Sequence, residues 1–123
     1  HIQSPIYHTN VMMCLGDCFS VISLETIYDQ LDKVKVLNSL EKTNKEVIEI
    51  TANQMNNFAG NMLQVIGANN SPIIVMSHSA FESLNKSQLK KLEKFGEIVF
   101  SDLSTIENYG GGSARCMMAE LFY

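Results

Sequence analysis

VMMCLGDCFSVIS, from Val11 to Ser23, is the stretch whose reading decides the fold. Two apolar runs of strand length, Val11–Leu15 and Cys18–Ser23, flank Gly16-Asp17, the kind of two-residue junction that closes a β-hairpin. Downstream, Ile27, Leu31, Val34, Leu37 and Leu40 recur at three- and four-residue spacing. That is one buried apolar stripe on a helix of about four turns, ending near Lys42. Glu46–Ile50 reads as the next strand, so the local order is strand, strand, helix, strand.

The same order recurs. Asn61–Ile66 reads as a strand, Gly67-Ala68-Asn69-Asn70-Ser71 as a turn, and Pro72–Ser77 as the partner strand. Asn85 with Gln88 three residues on is a capping-box signal for a second helix, and Gly96 marks its stop. Glu97–Phe100 supplies the fourth element. Asn10-Val11-Met12 and Asn61-Met62-Leu63 lie 51 positions apart, and so do Glu46-Val47-Ile48 and Glu97-Ile98-Val99. One more period reaches Gly112, where YGGGSARCMMAELF (Tyr109–Phe122) passes from glycines into an apolar run that reads as a closing strand, Cys116–Phe122.

The expected organisation is a single partial α/β domain of ββαβ repeats: one unit over about 8–59, a second over about 60–111, and a closing strand over about 112–123. A period near 50 implies units stacked around an axis, and at least about three are needed to bury their faces. Two and a fraction form part of a ring. The expectation is that further N-terminal units or a second chain complete the core, with a homo-oligomer as one form of that association.

Composition narrows the function classes. In 123 residues, 46% are apolar and 18% charged, which suits a globular chain with one core. The net charge is −4 and the nine Lys and Arg are scattered, so nucleic acid and anionic membrane surfaces are not expected partners. A small molecule is. Apolar runs such as Pro72–Met76 are too short to span a bilayer and no charged leader with an apolar stretch opens the chain, so the expected location is cytoplasmic. Three cysteines at irregular spacing fit reduced thiols.

Candidate chemistry gathers at the two ends. If Tyr7-His8-Thr9-Asn10 is extended, alternation puts His8 and Asn10 on one face and Thr9 on the other. Gly110-Gly111-Gly112 permits backbone angles or close approaches closed to other residues. Cys116 reads either as a small buried apolar group or as a nucleophile. Arg115 beside it favours the thiolate only if the backbone there is irregular, because consecutive strand residues face opposite ways.

Three motifs in order, His8-Thr9-Asn10-Val11-Met12-Met13 with Gly16-Asp17, then Asn57-Phe58-Ala59-Gly60-Asn61-Met62-Leu63, then Gly110-Gly111-Gly112-Ser113-Ala114-Arg115-Cys116-Met117, resemble the amidinotransferase and arginine deiminase superfamily. Within it the chain looks like the C-terminal part of the amidinotransferase-like citrulline hydrolases. The resemblance implies a five-bladed pentein propeller of ββαβ units. It also implies a hydrolase of C–N bonds in guanidino or ureido compounds, arginine- or citrulline-like, working without a cofactor or metal. Cys116 matches the nucleophile that forms a covalent thio-linked intermediate, and His8 the acid/base. Arg115 matches an arginine that precedes the nucleophile and would hold a substrate carboxylate; Asn10, Asn61 and Gly112 fall at substrate-binding positions. Where arginine deiminases carry an aspartate, this chain has Asn10, which cannot balance a cation but can both donate to and accept from a ureido group. That favours a neutral substrate such as citrulline, unless Asn10 is structural.

Two other readings stand beside this one. The chain is a catalytically incomplete binding or assembly module on the same scaffold, or an amidinotransferase in which an amine rather than water resolves the intermediate. Glu25, Glu49, Asp102 and Glu120 read as solvated or boundary carboxylates. Cys14 and Cys18, lacking a second pair, make a poor zinc site. His78 reads as a helix-entry histidine, and the seven methionines as core filler.

Overall fold

The structure, a computed structural model, describes residues 5–121. It is mixed α/β, with two three-stranded sheets and six α-helices among the described residues. The first sheet contains β1 (Met13–Leu15), β2 (Phe19–Ile22) and β3 (Glu46–Glu49). β1 runs antiparallel to β2, with Cys14 opposite Val21, and β2 runs parallel to β3, with Val21 opposite Ile48. The second sheet, β4 (Leu63–Ile66), β5 (Pro72–Ser77) and β6 (Glu97–Ser101), repeats that order and those directions.

Each parallel crossover carries the expected helix. In the first, α2 (Gln30–Lys42) starts where Asp29 accepts from the backbone N–H groups of Leu31 and Asp32, satisfying donors that a helix start leaves orphaned. In the second, α4 (His78–Ser83) precedes α5 (Lys86–Leu92), whose Asn85/Gln88 capping box is formed in both directions. Two further helices follow the third strands: α3 (Ala52–Asn56), with its own Thr51/Gln54 capping box, and α6 (Ser104–Gly110).

Both sheets contribute to one core. Phe19, Val21 and Ile48 of the first meet Ile74 and Met76 of the second, together with Met62, Leu84 and Leu92. Phe19 stacks on Phe95 at a centroid distance of 5.1 Å. Gln54 and Gln88, the third residues of the two capped helices, pair amide to amide at 2.7 and 3.0 Å. Gln54 Nε2 also donates to Ser83 O, and Gln88 Nε2 to Glu49 O. One pair of side chains therefore closes two helix starts and joins the two sheets' flanking helices.

Three expectations are corrected. The stripe on α2 is only partly buried: Leu40 is 7% exposed, but Leu31 is 72% and Val34 44% exposed, and Ile27 precedes the helix, in the loop after a 3-10 turn (Leu24–Thr26). Only the C-terminal end of the expected stripe, Leu37 and Leu40, is sheltered, and Lys33 and Val36 beside it are less exposed than Leu31 and Val34.

Residues 9–12, expected to be extended and to enter the first strand, form a single helical turn, α1 (Thr9–Met12). Val11 N donates to His8 O, and hairpin-side bonding ends where Ser23 N reaches Met12 O. Gly60 packs so close that a Cβ there would sit 2.5 Å from Val11 O and 2.8 Å from Met12 C.

The closing strand is likewise not formed among the described residues, and Phe122, its last position, lies outside them together with Tyr123. Ala114–Met117 is a 3-10 turn and residues 118–121 have no regular structure. A strand needs a ladder, and here Cys116 N turns back to Ser113 O while Arg115 N is taken by the side chain of Asn61.

Candidate active site

Cys116 sits at the junction of three segments. Asn61 Nδ2 donates to its sulfur at 3.3 Å and Asn10 Nδ2 donates to the same atom at 3.6 Å. Asn61 also donates to Asn10 O at 2.9 Å, and its Oδ1 accepts from Arg115 N at 3.1 Å. With 1% exposure, both N–H groups donated and its oxygen accepting from Arg115 N, Asn61 is committed to the protein. It holds the front segment, the turn before β4 and the cysteine turn in one arrangement.

The backbone at Arg115 and Cys116 is irregular, a 3-10 turn, and the thiol on which the charge of Arg115 is felt is Cys14. Gly112 keeps room for the cysteine: a Cβ there would lie 3.1 Å from both Cβ and Sγ of Cys116. Gly111 ends α6 at φ +67°, the left-handed region where glycine carries no steric penalty. Its carbonyl accepts from the hydroxyl of Tyr7 at 2.5 Å, tying the residue before His8 to the glycine run.

A pocket of about 250 Å³ opens beside this junction, lined by His8, Thr9, Asn10, Met13, Cys14 and Arg115. His8, Asn10 and Arg115 are thus brought to one concavity, although the helical turn, not strand alternation, does it, and Thr9 joins the same lining. Asn61 and Gly112 contribute through Cys116 instead. A larger cavity of about 520 Å³, bordered by Pro5, Met12, Glu25, Tyr28 and Met55, shares no lining residue with it and contains neither cysteine nor histidine. Its carboxylate, Glu25, is engaged by Ala52 N. The smaller pocket is the one with chemistry.

The three free thiols differ sharply in setting. Cys18 and Cys116 are exposed, whereas Cys14 is buried. Burial pushes the Cys14 thiol up from 9.0 to about 12, against smaller lowering effects from the Val21 backbone, the charge of Arg115 and the Met62 backbone. Cys14 is therefore an inert apolar wall of the pocket.

Among the expected bystanders, Asp102 accepts from Ser104 N at 2.9 Å. That backbone bond, then the Ser104 side chain, holds its carboxyl below the usual range. His78 opens α4 with Nε2 3.6 Å from Glu82. Among the described residues no three His, Cys, Asp or Glu side chains gather to hold a metal ion, and no helix is long and apolar enough to cross a membrane.

Glu107 is the residue that sequence reasoning passed over. It is 8% exposed, with Oε1 accepting from Ser113 Oγ at 2.6 Å and Oε2 from Ser79 Oγ at 2.8 Å. Its one sequence signal pointed elsewhere. Ser104-Thr105-Ile106-Glu107 has the spacing of a capping box, yet Ser104 is the first helical residue and Glu107 turns inward.

A family model described as "N,N dimethylarginine dimethylhydrolase, eukaryotic" matches residues 1–123. No curated protein and no solved structure matches the chain.

Proposed function

The chain belongs to the eukaryotic N,N dimethylarginine dimethylhydrolase family, within the amidinotransferase-like penteins, and on that premise we propose that it hydrolyses a C–N bond at the guanidino carbon of an arginine-type substrate. Cys116 is the nucleophile and His8 the acid/base. The observation that carries the reading is the convergence of Asn10 and Asn61 on the sulfur of Cys116, with Asn10 also lining a pocket that His8 and Arg115 share.

In this mechanism the Cys116 thiolate adds to the guanidino carbon, forming a C–S bond. His8 protonates the departing nitrogen as the C–N bond breaks and an amine leaves. His8 then takes a proton from water, which attacks the same carbon; the C–S bond breaks, leaving a ureido product and the thiolate. A sulfur nucleophile reacts as its thiolate, and amide N–H groups aimed at sulfur are partners that an anion prefers. Arg115 is placed to hold a substrate carboxylate in a two-pronged contact. Asn10 gives one N–H to sulfur and keeps its second N–H and its oxygen for the pocket; it is the family description, a dimethylarginine dimethylhydrolase, that ranks guanidino compounds ahead of citrulline.

The two sheets are read as two blades of a pentein propeller. Supporting this, the corresponding first strands β1 and β4 lie in contact. Leu31 and Val34 of α2, with Tyr28 before it, and Val99, Phe100 and Ile106 of β6 and α6 are exposed apolar residues of the kind that further blades would cover. No carboxylate lines the pocket of His8 among the described residues. A further blade or a second chain is therefore the expected source of the acidic groups that grip a guanidinium, and an incomplete or binding-only module is the rival reading.

A thiol-directed haloacetamidine, which mimics the guanidinium, is the test. It should label Cys116 well ahead of Cys14 and Cys18, with arginine or a methylated arginine protecting. Equal labelling of Cys116 and Cys18 would end the nucleophile assignment. Protection by citrulline but not by arginines would return the substrate to the ureido class.

A further inference from the structure

The glycine run before Cys116 has little of its own to hold it in shape. Gly110, Gly111 and Gly112 follow one another, and each pays a large conformational entropy to be fixed. Yet the turn they lead into must present one sulfur to two amides. What fixes it are residues outside the pocket lining: Ser113, fully buried, donates its hydroxyl to Glu107 at 2.6 Å and its carbonyl accepts from Cys116 N at 3.0 Å. The other oxygen of Glu107 is held by Ser79 of α4.

From this we infer that Glu107 is a positioning residue, a buried latch that sets the nucleophile turn through Ser113. A carboxylate so thoroughly withdrawn from water is costly unless each oxygen is hydrogen-bonded, and here each oxygen is. A 2.6 Å O–H···O contact has the length of a charge-assisted bond. The direction of the chain fits the role. Glu107 sits within α6, one turn before the helix ends at the glycines, so the flexible run is tethered at its far side to the helix from which it departs. Ser79 in turn anchors that helix to the segment following β5. Glu107 touches neither the pocket lining nor the sulfur, so its effect reaches chemistry only through the placement of Cys116.

The inference rests on Cys116 being the nucleophile, and the experiment separates the two. In the intact protein, the rate of Cys116 alkylation by haloacetamidine is measured as a ratio to that of Cys18, which is exposed and serves as an internal reference. The ratio is followed over pH 6 to 9 in wild type, Glu107→Gln, Ser113→Ala and Ser79→Ala, with the melting temperature of each. Ser113→Ala and Glu107→Gln should lower the Cys116 ratio about tenfold and slow turnover with KM little changed, the signature of a misplaced reacting group. Ser79→Ala should cost stability while lowering the ratio much less. A wild-type ratio near one sinks the nucleophile reading itself. A high wild-type ratio that persists in folded Ser113→Ala and Glu107→Gln overturns the latch, as does a loss in Ser79→Ala equal to that in Ser113→Ala.

Discussion

Asn10 and Asn61, 51 positions apart, donate their side-chain N–H groups to one sulfur atom, that of Cys116. Corresponding residues of two similar segments therefore converge on a single atom supplied by a third. The two are not equal. Asn61 is buried and also binds the backbone of Asn10 and Arg115, whereas Asn10 borders the pocket. Asn61 is best understood as the member that builds the site, and Asn10 as the member that faces what enters it.

Asn61→Asp separates these contributions. The aspartate keeps an oxygen for Arg115 N but replaces the two N–H donations, to Asn10 O and to sulfur, with an acceptor that repels a thiolate. Loss of a hydrogen bond to a charged group costs about 1.5–3 kcal/mol, so Cys116 alkylation at neutral pH should fall by roughly 10- to 100-fold. Kinetic labelling followed by peptide mass spectrometry reads this directly, with Cys18 labelling expected to stay constant.

The glycines near the site make a second pair of expectations. Gly112→Ala places a methyl 3.1 Å from Sγ of an exposed cysteine, which can turn aside, and 3.1 Å from its Cβ, which yields only by a small shift of the cysteine turn. Turnover should drop tenfold or more, since displacement of a reacting atom by ~1 Å can cost about 10²-fold, while the melting temperature barely moves. Gly60→Ala instead meets backbone, at 2.5 Å from Val11 O, and backbone cannot turn aside. Overpacking of that kind costs about 1–3 kcal/mol, so thermal unfolding should shift first.

What could be read from the chain alone follows from which forces are local. The second hairpin, the Asn85/Gln88 cap and strand Pro72–Ser77 are written in neighbouring residues, and each is found where the pattern put it. The first hairpin forms too, but Leu15 pairs with Ser20 and Gly16 N donates to Phe19 O, so its two-residue turn is Asp17-Cys18 and not Gly16-Asp17. Val11-Met12 and Cys116-Met117 read as strand because each pair opens an apolar run, yet both lie in helical turns. Their conformation is set by remote partners, Gly60 against Val11 and Asn61 against Arg115, which no window of sequence contains. The exposure of Leu31 and Val34 has the same origin, since helical periodicity names a face but not its cover. Glu107 was invisible for a further reason: a buried carboxylate in a helix has the same letters as a solvated one, and its two serine partners lie 28 residues before it and six after.

The paired glutamines offer a measurable link between the two halves. Gln54, 8% exposed, caps α3, and Gln54→Ala removes that cap and leaves the half-buried Ser83 O and Gln88 amide short of partners. Unsatisfied buried polar groups cost about 1–3 kcal/mol each, so a loss of about 2–3 kcal/mol in urea unfolding is expected. Because Gln54 and Gln88 donate to each other, the double mutant should lose less than the two single losses added, with a coupling of about 0.5–3 kcal/mol. Strict additivity would mean that the two amides do not act as a pair.

Cys14 makes the alkaline limb of stability a test of how tightly the pocket wall is closed. Its thiol is raised from 9.0 to about 12, mainly by burial. The unfolded chain therefore releases this proton first as pH rises, and the folded state holds it longer. The sign follows: the contribution of the neutral buried thiol is fully present below about pH 9 and is lost between about 9 and 12. Across that window the stability of the wild type relative to Cys14→Ala should fall by up to ~1.4 kcal/mol per pH unit, while below it the difference should be flat. Denaturant unfolding of both proteins at half-unit pH steps measures this with the other titrating groups cancelling. A flat difference throughout would mean that water reaches Cys14 and that the wall beside Arg115 is open. Iodoacetamide should agree, leaving Cys14 unmodified under native conditions while Cys18 reacts.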